Sequence, residues 1–518
     1  MANSSSPTLV NQWFVNPSKD LLSGLVVAFA MIPEAIAFSG IAGVDPKVGL
    51  FGAFCLSLTI AVVGGRMAMI TSATGSTALL MTGLVAMGEM RGPGLGVQYL
   101  MVAGLLTGLL QIIWGYMRLA HQMRFVPQGV LSGFVNALAL LIFQAQLPQL
   151  GFNPHGGEQT HATDLLPHGA QIPIVWGLVA LGLVIIYGLP RLTRVVPSQL
   201  VAIIVLTAIS LAFSFEIPTV SSLGTLPDGL PSFHLPFGAD GVPFNRETLG
   251  IVLPTALAIS LVGLMETFLT QDILDDRTDT TTDKNVEARG QGIANIVSSL
   301  FGGMAGCALV GQSVMNVDNG GRTRLSTLFS GVSLLAMILL AGPWLGQIPM
   351  AALVAVMISI AVSTADINGL RNLRRIPKSD TSVMLMTFAV TMLTTPHNLA
   401  LGVLAGVALA GILFSRKVAK VIQVESIDTD DERRYRVRGQ LFFVSKVYFL
   451  QGFDLHDHPE RITIDLSEAH IWDQSGVSAL DQVIRKLRQG GSAVRVIGLN
   501  EESLDLFERI GGRNSAHA

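Results

Sequence analysis

Long apolar runs alternate with short polar breaks over the first 420 residues, and that pattern predicts helices that cross a membrane. No Asp, Glu, Lys or Arg occurs in 21–33, 67–88, 128–157, 195–215, 249–265, 290–317, 325–365 or 381–415. A spanning helix needs about 20 mostly apolar residues, so the last two runs are each long enough for two. Both are broken midway, at 343–349 and at 395–398, as a helix–turn–helix would be. The predicted spans are 20–41, 47–63, 71–86, 98–118, 128–147, 172–188 and 197–214, then 249–274, 288–304, 309–319, 325–342, 348–364, 380–396 and 399–415. They form two sets of seven, over 18–215 and 248–420, joined by a Pro-, Ser- and Gly-rich connection at 216–247 that reads as an exposed loop. A soluble helical protein with so many uncharged runs would aggregate in water.

Basic residues orient the spans. Arg191 and Arg194, then Arg371, Arg374, Arg375 and Lys378, then Arg416, Lys417 and Lys420 mark loops that stay cytoplasmic. An even number of crossings returns both termini to the cytoplasm, with residues 1–17 as a short N-terminal segment. Met1–Asn16 lacks the basic and apolar regions of a cleavable signal, so the first span is expected to serve as the targeting signal itself.

After Lys420 the character changes. Residues 431–518 are charge-rich, with strand-like runs at 436–444, 461–466 and 493–498 and helical patterns at 475–488 and 503–510. This interleaving predicts a small α/β domain, a sheet covered by helices.

Composition sharpens the picture. Half the residues are hydrophobic and 13% are charged, against about 25% charged in soluble domains. A net charge of −3 points to no nucleic-acid partner. Cys55 and Cys307 lie in apolar segments and read as inert packing residues, with no disulfide or metal site implied. The sequence shows no nucleophile–base pair, no phosphate-binding loop and no metal cluster, so it suggests neither an enzyme nor a cofactor beyond a coupling ion.

Two segments are too polar or too short for ordinary spans: 71–77, reading TSATGST, and 306–321, reading GCALVGQSVMNVDNGG. Each is the third element of its set. Short, Gly-interrupted segments at matching places in two halves point to a transport site. Half-helices that start in mid-membrane aim free N–H groups and positive dipole ends at one point, which suits an anion. The alternative is a close-packed crossing of small residues. Gly311 is expected to be the position least tolerant of enlargement, with Ala355 as a tolerant comparison in an ordinary span. Two acids lie within spans: Glu34, after Pro33, and Glu266. A charge in mid-membrane is costly, so each reads as a proton site or a cation ligand, or else as a structural acid with a fixed partner.

The stretches PEAIAF, FVPQGVLSGFVNALALLI, VPSQLVAII, GQSVMNVDNGGRTRLS and IPMAALVAVMI resemble the sulfate permease (SulP) family, which includes the mammalian solute-carrier anion exchangers and prestin. The resemblance covers nearly the whole chain. It implies an α-helical polytopic protein of 14 membrane segments in 7+7 inverted repeats, split into core and gate subdomains, working by an elevator-like mechanism. It also implies a C-terminal STAS domain, a homodimer and cytoplasmic regulators acting through that domain. Substrates in the family are sulfate, bicarbonate, chloride, oxalate or dicarboxylates. The resemblance points to Ala73, Thr74, Gly75, Val310, Gly311, Gln312, Ser313 and Pro33 as anion ligands, with Glu34 beside them. Many animal members have Arg at the place of Gln312 and Gln at the place of Glu34; bacterial members with Glu there resemble proton-coupled symporters. Glu266 and Thr270 resemble the sodium ligands of the sodium-dependent bicarbonate branch, so H+ and Na+ both stand as coupling ions, and an uncoupled exchanger or channel is a further alternative. In the tail, Asp465-Leu466-Ser467 is expected at a strand end and Asp473-Gln474-Ser475-Gly476 at a helix start. Gln474 replaces the phosphorylated Ser of related anti-sigma antagonists. Ser475 and Ser478 remain as acceptors, and the other reading is a helix N-cap.

Overall fold

The computed structural model describes residues 12–118, 126–152, 167, 169, 171–192, 197–238, 241–243, 245–394, 399–428, 432–457 and 459–510. The chain divides into two compact units, Met1–Gly406 and Val407–Ala518.

Helices occupy each of the expected segments. They are α1 (Pro17–Ala42), α2 (Pro46–Val63), α3 (Gly75–Arg91), α4 (Leu95–Tyr116), α5 (Gln128–Gln144), α6 (Gln171–Gly188) and α7 (Ser198–Ala212), then α8 (Arg246–Thr278), α9 (Lys284–Leu300), α10 (Val310–Asp318), α11 (Arg324–Leu345), α12 (Met350–Thr364), α13 (Lys378–Leu393) and α14 (Leu399–Ala419). Among the described residues, seven helices are long and apolar enough to cross a membrane: α1, α2, α4, α6 with its following turn, α8, α11 and α14. Helices α5, α7 and α12 are apolar but shorter.

Local chemistry sets several helix ends. Asn16, Asn245, Asp283 and Thr323 each cap a helix with a side-chain oxygen, satisfying amides that the first turn leaves free. Helix α8 runs past its expected end at 274 because its acids find cations: Asp272 pairs with Lys284 and Asp275 with Arg66, both at 2.7 Å. Helix α9 begins before the expected 288 and takes Glu287 into the interior, where the Gly65 and Arg66 amides donate to its Oε2 at 2.6 and 2.8 Å. The break at 343–349 is present as a turn between α11 and α12, with Pro343 inside the last turn of α11. The expected break at 395–398 and Arg194 lie outside the described residues.

Helices α1–α4 pack among themselves and against α8–α11, whereas α5–α7 pack with α12 and α13. The groups meet chiefly where α12 lies against α1. Helix α12 is the most enclosed, with 351–357 buried throughout. This corrects the expectation for Ala355. It is fully buried, and a Cβ added to the facing Gly182 would come within 2.7 Å of its own Cβ. Enlarging Ala355 therefore overpacks the core, at about 1–3 kcal/mol. The connection at 216–247 is also more than an exposed loop: the Val220 amide donates to the Ile348 carbonyl at 2.9 Å, and Ile217, Val220 and Val242 are buried.

In the second unit, β3 (Gln423–Asp428), β4 (Arg433–Leu441), β5 (Arg461–Ile471) and β6 (Ala493–Ile497) form one sheet in that order. The β3–β4 pair is antiparallel and the other two are parallel. Helices α15 (Lys446–Gln451), α16 (Gln474–Gln489) and α17 (Glu501–Ile510) complete it. Tyr435, Val437, Phe449, Ile464, Leu480 and Val483 lie in its core. Strand β3 precedes the expected start at 431 because its exposed, charged residues hide its pairing with β4. Asp465–Ser467 is not at a strand end. Pairing with β6 stops at Asp465, while β5 continues along β4 to Ile471. Burial works against the Asp465 charge, but hydrogen bonds from Ser467 and the Arg434 guanidinium outweigh it and hold the carboxyl below its usual range.

Asp473 is the N-cap of α16: its Oδ1 accepts from the Gly476 amide at 2.8 Å and its Oδ2 from the Phe443 amide at 2.9 Å. Asp473→Ala should destabilise this domain by about 1 kcal/mol, within the usual range for a lost cap. Thermal unfolding of the purified protein followed by a probe in this domain checks it; an unshifted transition would show that the cap contributes nothing.

Candidate functional site

The two odd segments meet. Thr71–Ser72 forms a two-residue strand, β1, paired antiparallel with β2, Cys307–Ala308. Thr71 lies opposite Ala308 and Ser72 opposite Cys307. The close approach requires glycine next to β2, since a Cβ on Gly306 would fall on the Ser72 carbonyl oxygen. Just past each strand a helix begins, α3 at Gly75 and α10 at Val310. The antiparallel pairing sends the two helices away from one another with their N-termini at the crossing. Thr74 is extended (φ −129°, ψ 159°) and closes a capping box with Thr77. The Leu309 amide donates to the Ile70 carbonyl at 2.9 Å, which fastens the other strand. First-turn amides have no intrahelical partner, and the helix dipole adds positive potential there.

The two acids are attached to this crossing in a swapped manner. Glu34 lies on α1 of the first half, directly after Pro33, whose missing N–H interrupts the helix ladder. Its carboxylate accepts a hydrogen bond from Nε2 of Gln312, the third residue of α10 in the second half. Both residues are 7% exposed. Glu266 lies on α8 of the second half. It accepts from the hydroxyl of Ser76, the second residue of α3 in the first half, and from the Cys307 Sγ at 3.1 Å. Thr270, one turn on, donates to the Glu266 carbonyl at 2.8 Å and approaches the Ala308 carbonyl at 3.5 Å. Among the described residues, no Lys or Arg forms an ion pair with either carboxylate.

Of the residues expected as ligands, Ala73, Thr74, Gly75, Val310, Gly311 and Gln312 all lie at or beside the two helix starts. Ser313 departs from that expectation. Its hydroxyl is occupied by the Ile70 backbone, accepting from the amide at 2.9 Å, and its own amide donates to the Leu309 carbonyl at 3.1 Å. It fastens β1 to α10. The two glycines also exchange roles. A Cβ on Gly75 would press on Ile142 at 2.9 Å and Phe38 at 3.1 Å, whereas one on Gly311 would meet open space. Steric intolerance in the fold belongs to Gly75, and Gly311 has room for a side chain.

Two site residues escaped the sequence reading. Cys307 is not merely packing: its Sγ lies 3.2 Å from the Thr74 hydroxyl as well as against Glu266. Ser76 was visible only as one hydroxyl among several. The signal for both is their place in the odd segments, which carries no information about partners 41, 190 and 233 residues away. A separate cavity of about 1000 Å³ flanks the last turns of α8, lined by Tyr116, Met265, Phe268, Asp272, Asp283 and Arg289 among others.

Comparison with known proteins agrees with this architecture. Residues 18–387 match the sulfate permease family, and residues 422–515 match the STAS domain. The chain is 45% identical over 506 residues to the putative sulfate transporter YbaR of Bacillus subtilis, covering 98% of this chain and 99% of the relative. The transmembrane domain of a cyanobacterium bicarbonate transporter, BicA, superposes with a TM-score of 0.64 at 28% identity, covering 77% of this chain and 98% of that one. The murine Solute Carrier 26 family member A9 anion transporter, in the inward-facing state, shares the fold with a TM-score of 0.78 at 18% identity, over 95% of this chain and 87% of that one. With a family match over most of the membrane unit and a relative similar along its whole length, the chain belongs to the sulfate permease family and carries a STAS domain.

Proposed function

We propose that this protein is a secondary active transporter that moves a small anion (sulfate, bicarbonate or a dicarboxylate) together with a proton. The anion binds at the opposed starts of α3 and α10, held by free backbone amides. The observation that carries this reading is the Glu34–Gln312 hydrogen bond at the start of α10. Gln312 then serves two partners, the carboxylate and the anion. An ionised Glu34 repels the anion and holds the amide tightly; a proton on Glu34 removes the charge and weakens that hold on Gln312, since a neutral acceptor makes the weaker hydrogen bond. Binding of proton and anion is thereby coupled, and such coupling is reciprocal. We further read the fourteen helices as 7+7 inverted repeats, with α1–α4 and α8–α11 as a core that moves against a gate in an elevator-like cycle. The same reading places both termini in the cytoplasm of a bacterial inner membrane, makes the protein a homodimer and gives the STAS domain a regulatory role.

Uptake into proteoliposomes tests the function. Labelled sulfate, bicarbonate or a dicarboxylate should accumulate under an inward proton gradient at zero sodium. Accumulation only under a sodium gradient would overturn proton coupling. It would favour a second reading, supported by the Glu266 carboxylate, the Thr270 hydroxyl and the Ala308 carbonyl lying together.

Gln312→Arg gives a separate check. The guanidinium would pair with Glu34 and hold it ionised in a site where low dielectric strengthens the pair. Uptake should lose its dependence on the proton gradient and shift toward anion exchange. Unchanged coupling at normal expression would show that Gln312 does not face the anion.

A further inference from the structure

Helix α9 is deeply packed, yet one face carries Glu287, Gln291, Asn295 and Ser298. Their spacing of four, four and three places them on one stripe, and all four are fully buried. Buried polar groups are costly unless hydrogen-bonded, so the stripe requires partners. It finds them in the irregular segments on either side of the β1–β2 crossing. Glu287 takes the Gly65 and Arg66 amides, ahead of β1. Gln291 Oε1 accepts from the Thr71 hydroxyl at 3.4 Å, and its Nε2 donates to the Gly306 carbonyl at 2.9 Å. Asn295 brackets Gly306: its Oδ1 accepts from the Gly306 amide at 2.9 Å and its Nδ2 donates to the Gly306 carbonyl at 3.2 Å. Ser298 donates to the Met304 carbonyl at 2.7 Å.

We propose that α9 is the template that sets the separation and aim of the two helix starts, and that Asn295 is its chief positioning residue; this rests on the reading of the crossing as the anion site. Eight residues of helix separate Glu287 from Asn295, a rigid rule of about 12 Å. The template is itself fixed against α4, where Gly108 and Gly292 face one another so closely that a Cβ on either would strike the other's carbonyl oxygen. Asn295 is held from behind, its Nδ2 also donating to Gln111 Oε1 at 2.8 Å. The Asn295 amide supplies Gly306 with the paired donor and acceptor that a further strand residue would otherwise provide. Without it, Gly306 keeps only the single donor of Gln291 on its carbonyl and loses the acceptor for its amide, and the aim of α10 is less closely fixed. Asn295 touches no substrate and acts through the backbone that does.

The test uses purified full-length protein carrying Cys55→Ser, which leaves Cys307 as the only thiol. Two properties are measured: equilibrium binding of sulfate and of bicarbonate, and the rate of Cys307 labelling by N-ethylmaleimide. Asn295→Ala should weaken anion binding about tenfold, the scale of one lost charge-assisted contact, and speed Cys307 labelling. Asn136→Ala is the comparison. Asn136, in α5, bonds the Ser132 carbonyl and the Asp366 amide, neither of which belongs to the crossing, so its loss should lower stability while leaving both readouts in place. If Asn295→Ala does not fold, Gln291→Ala removes one donor to Gly306 and carries the same prediction in smaller measure. Wild-type affinity and labelling in the folded variant, or equal changes in Asn136→Ala, would overturn the proposal. Should the unmodified protein bind neither anion, that counts against the anion reading, and labelling alone then decides the template.

Discussion

Glu34→Gln should abolish proton-driven accumulation while leaving the protein folded. A pH gradient of one unit supplies about 1.4 kcal/mol per proton, or about tenfold accumulation for each proton coupled. Glutamine has the shape of the protonated acid and its carbonyl can still accept from Gln312 Nε2, so the contact between α1 and α10 survives. What is lost is the ability to gain and release charge. Downhill exchange of one anion for another should persist, because the amides at the start of α10 are unaltered. The measurement is uptake of labelled anion into proteoliposomes, with and without an inward proton gradient, alongside counterflow exchange. Accumulation at the unmodified level in Glu34→Gln would sink the coupling role of this residue and move attention to Glu266.

Gly311→Leu should block transport to the background of empty liposomes, and it should do so without unfolding the protein. The expectation rests on the open space around Gly311, where an added Cβ meets nothing within 4 Å. A leucine is accommodated by the fold and, on the proposed function, extends beside the start of α10 into the space through which the anion would reach the free amides. Gly75→Leu is predicted to differ in kind. Its side chain would collide with Phe38 and Ile142, so low yield or a lowered melting temperature should appear before any transport is measured. Comparison of melting temperature and uptake for the pair separates an obstructed site from a damaged fold. Normal uptake by Gly311→Leu would mean that the anion passes elsewhere. Gly250, where an added Cβ also meets nothing, makes a fair comparison in place of Ala355.

The sequence by itself determined the helices and the character of the site. Apolar runs of spanning length must satisfy their backbone internally, and in a bilayer a helix does so from local contacts alone. Prolines and capping side chains then set the ends within a few residues, as at Pro46, Asn245 and Thr323. A lone acid such as Glu34 announces itself because its cost in an uncharged span needs no structure to be recognised. The hydroxyl-rich and glycine-rich segments were legible for the same reason: they fit no ordinary span. Tertiary structure decided everything that depends on partners. A two-residue strand has no periodicity, so nothing in Thr71–Ser72 specifies Cys307–Ala308. The attachment of Glu34 to Gln312 and of Glu266 to Ser76 joins residues from opposite halves of the chain, and only the packing of α1, α3, α8 and α10 brings them within reach. The burial of Ala355, the open space at Gly311 and the polar stripe of α9 were hidden likewise. Each depends on what another helix presents across the contact, and a helix's own sequence does not contain that.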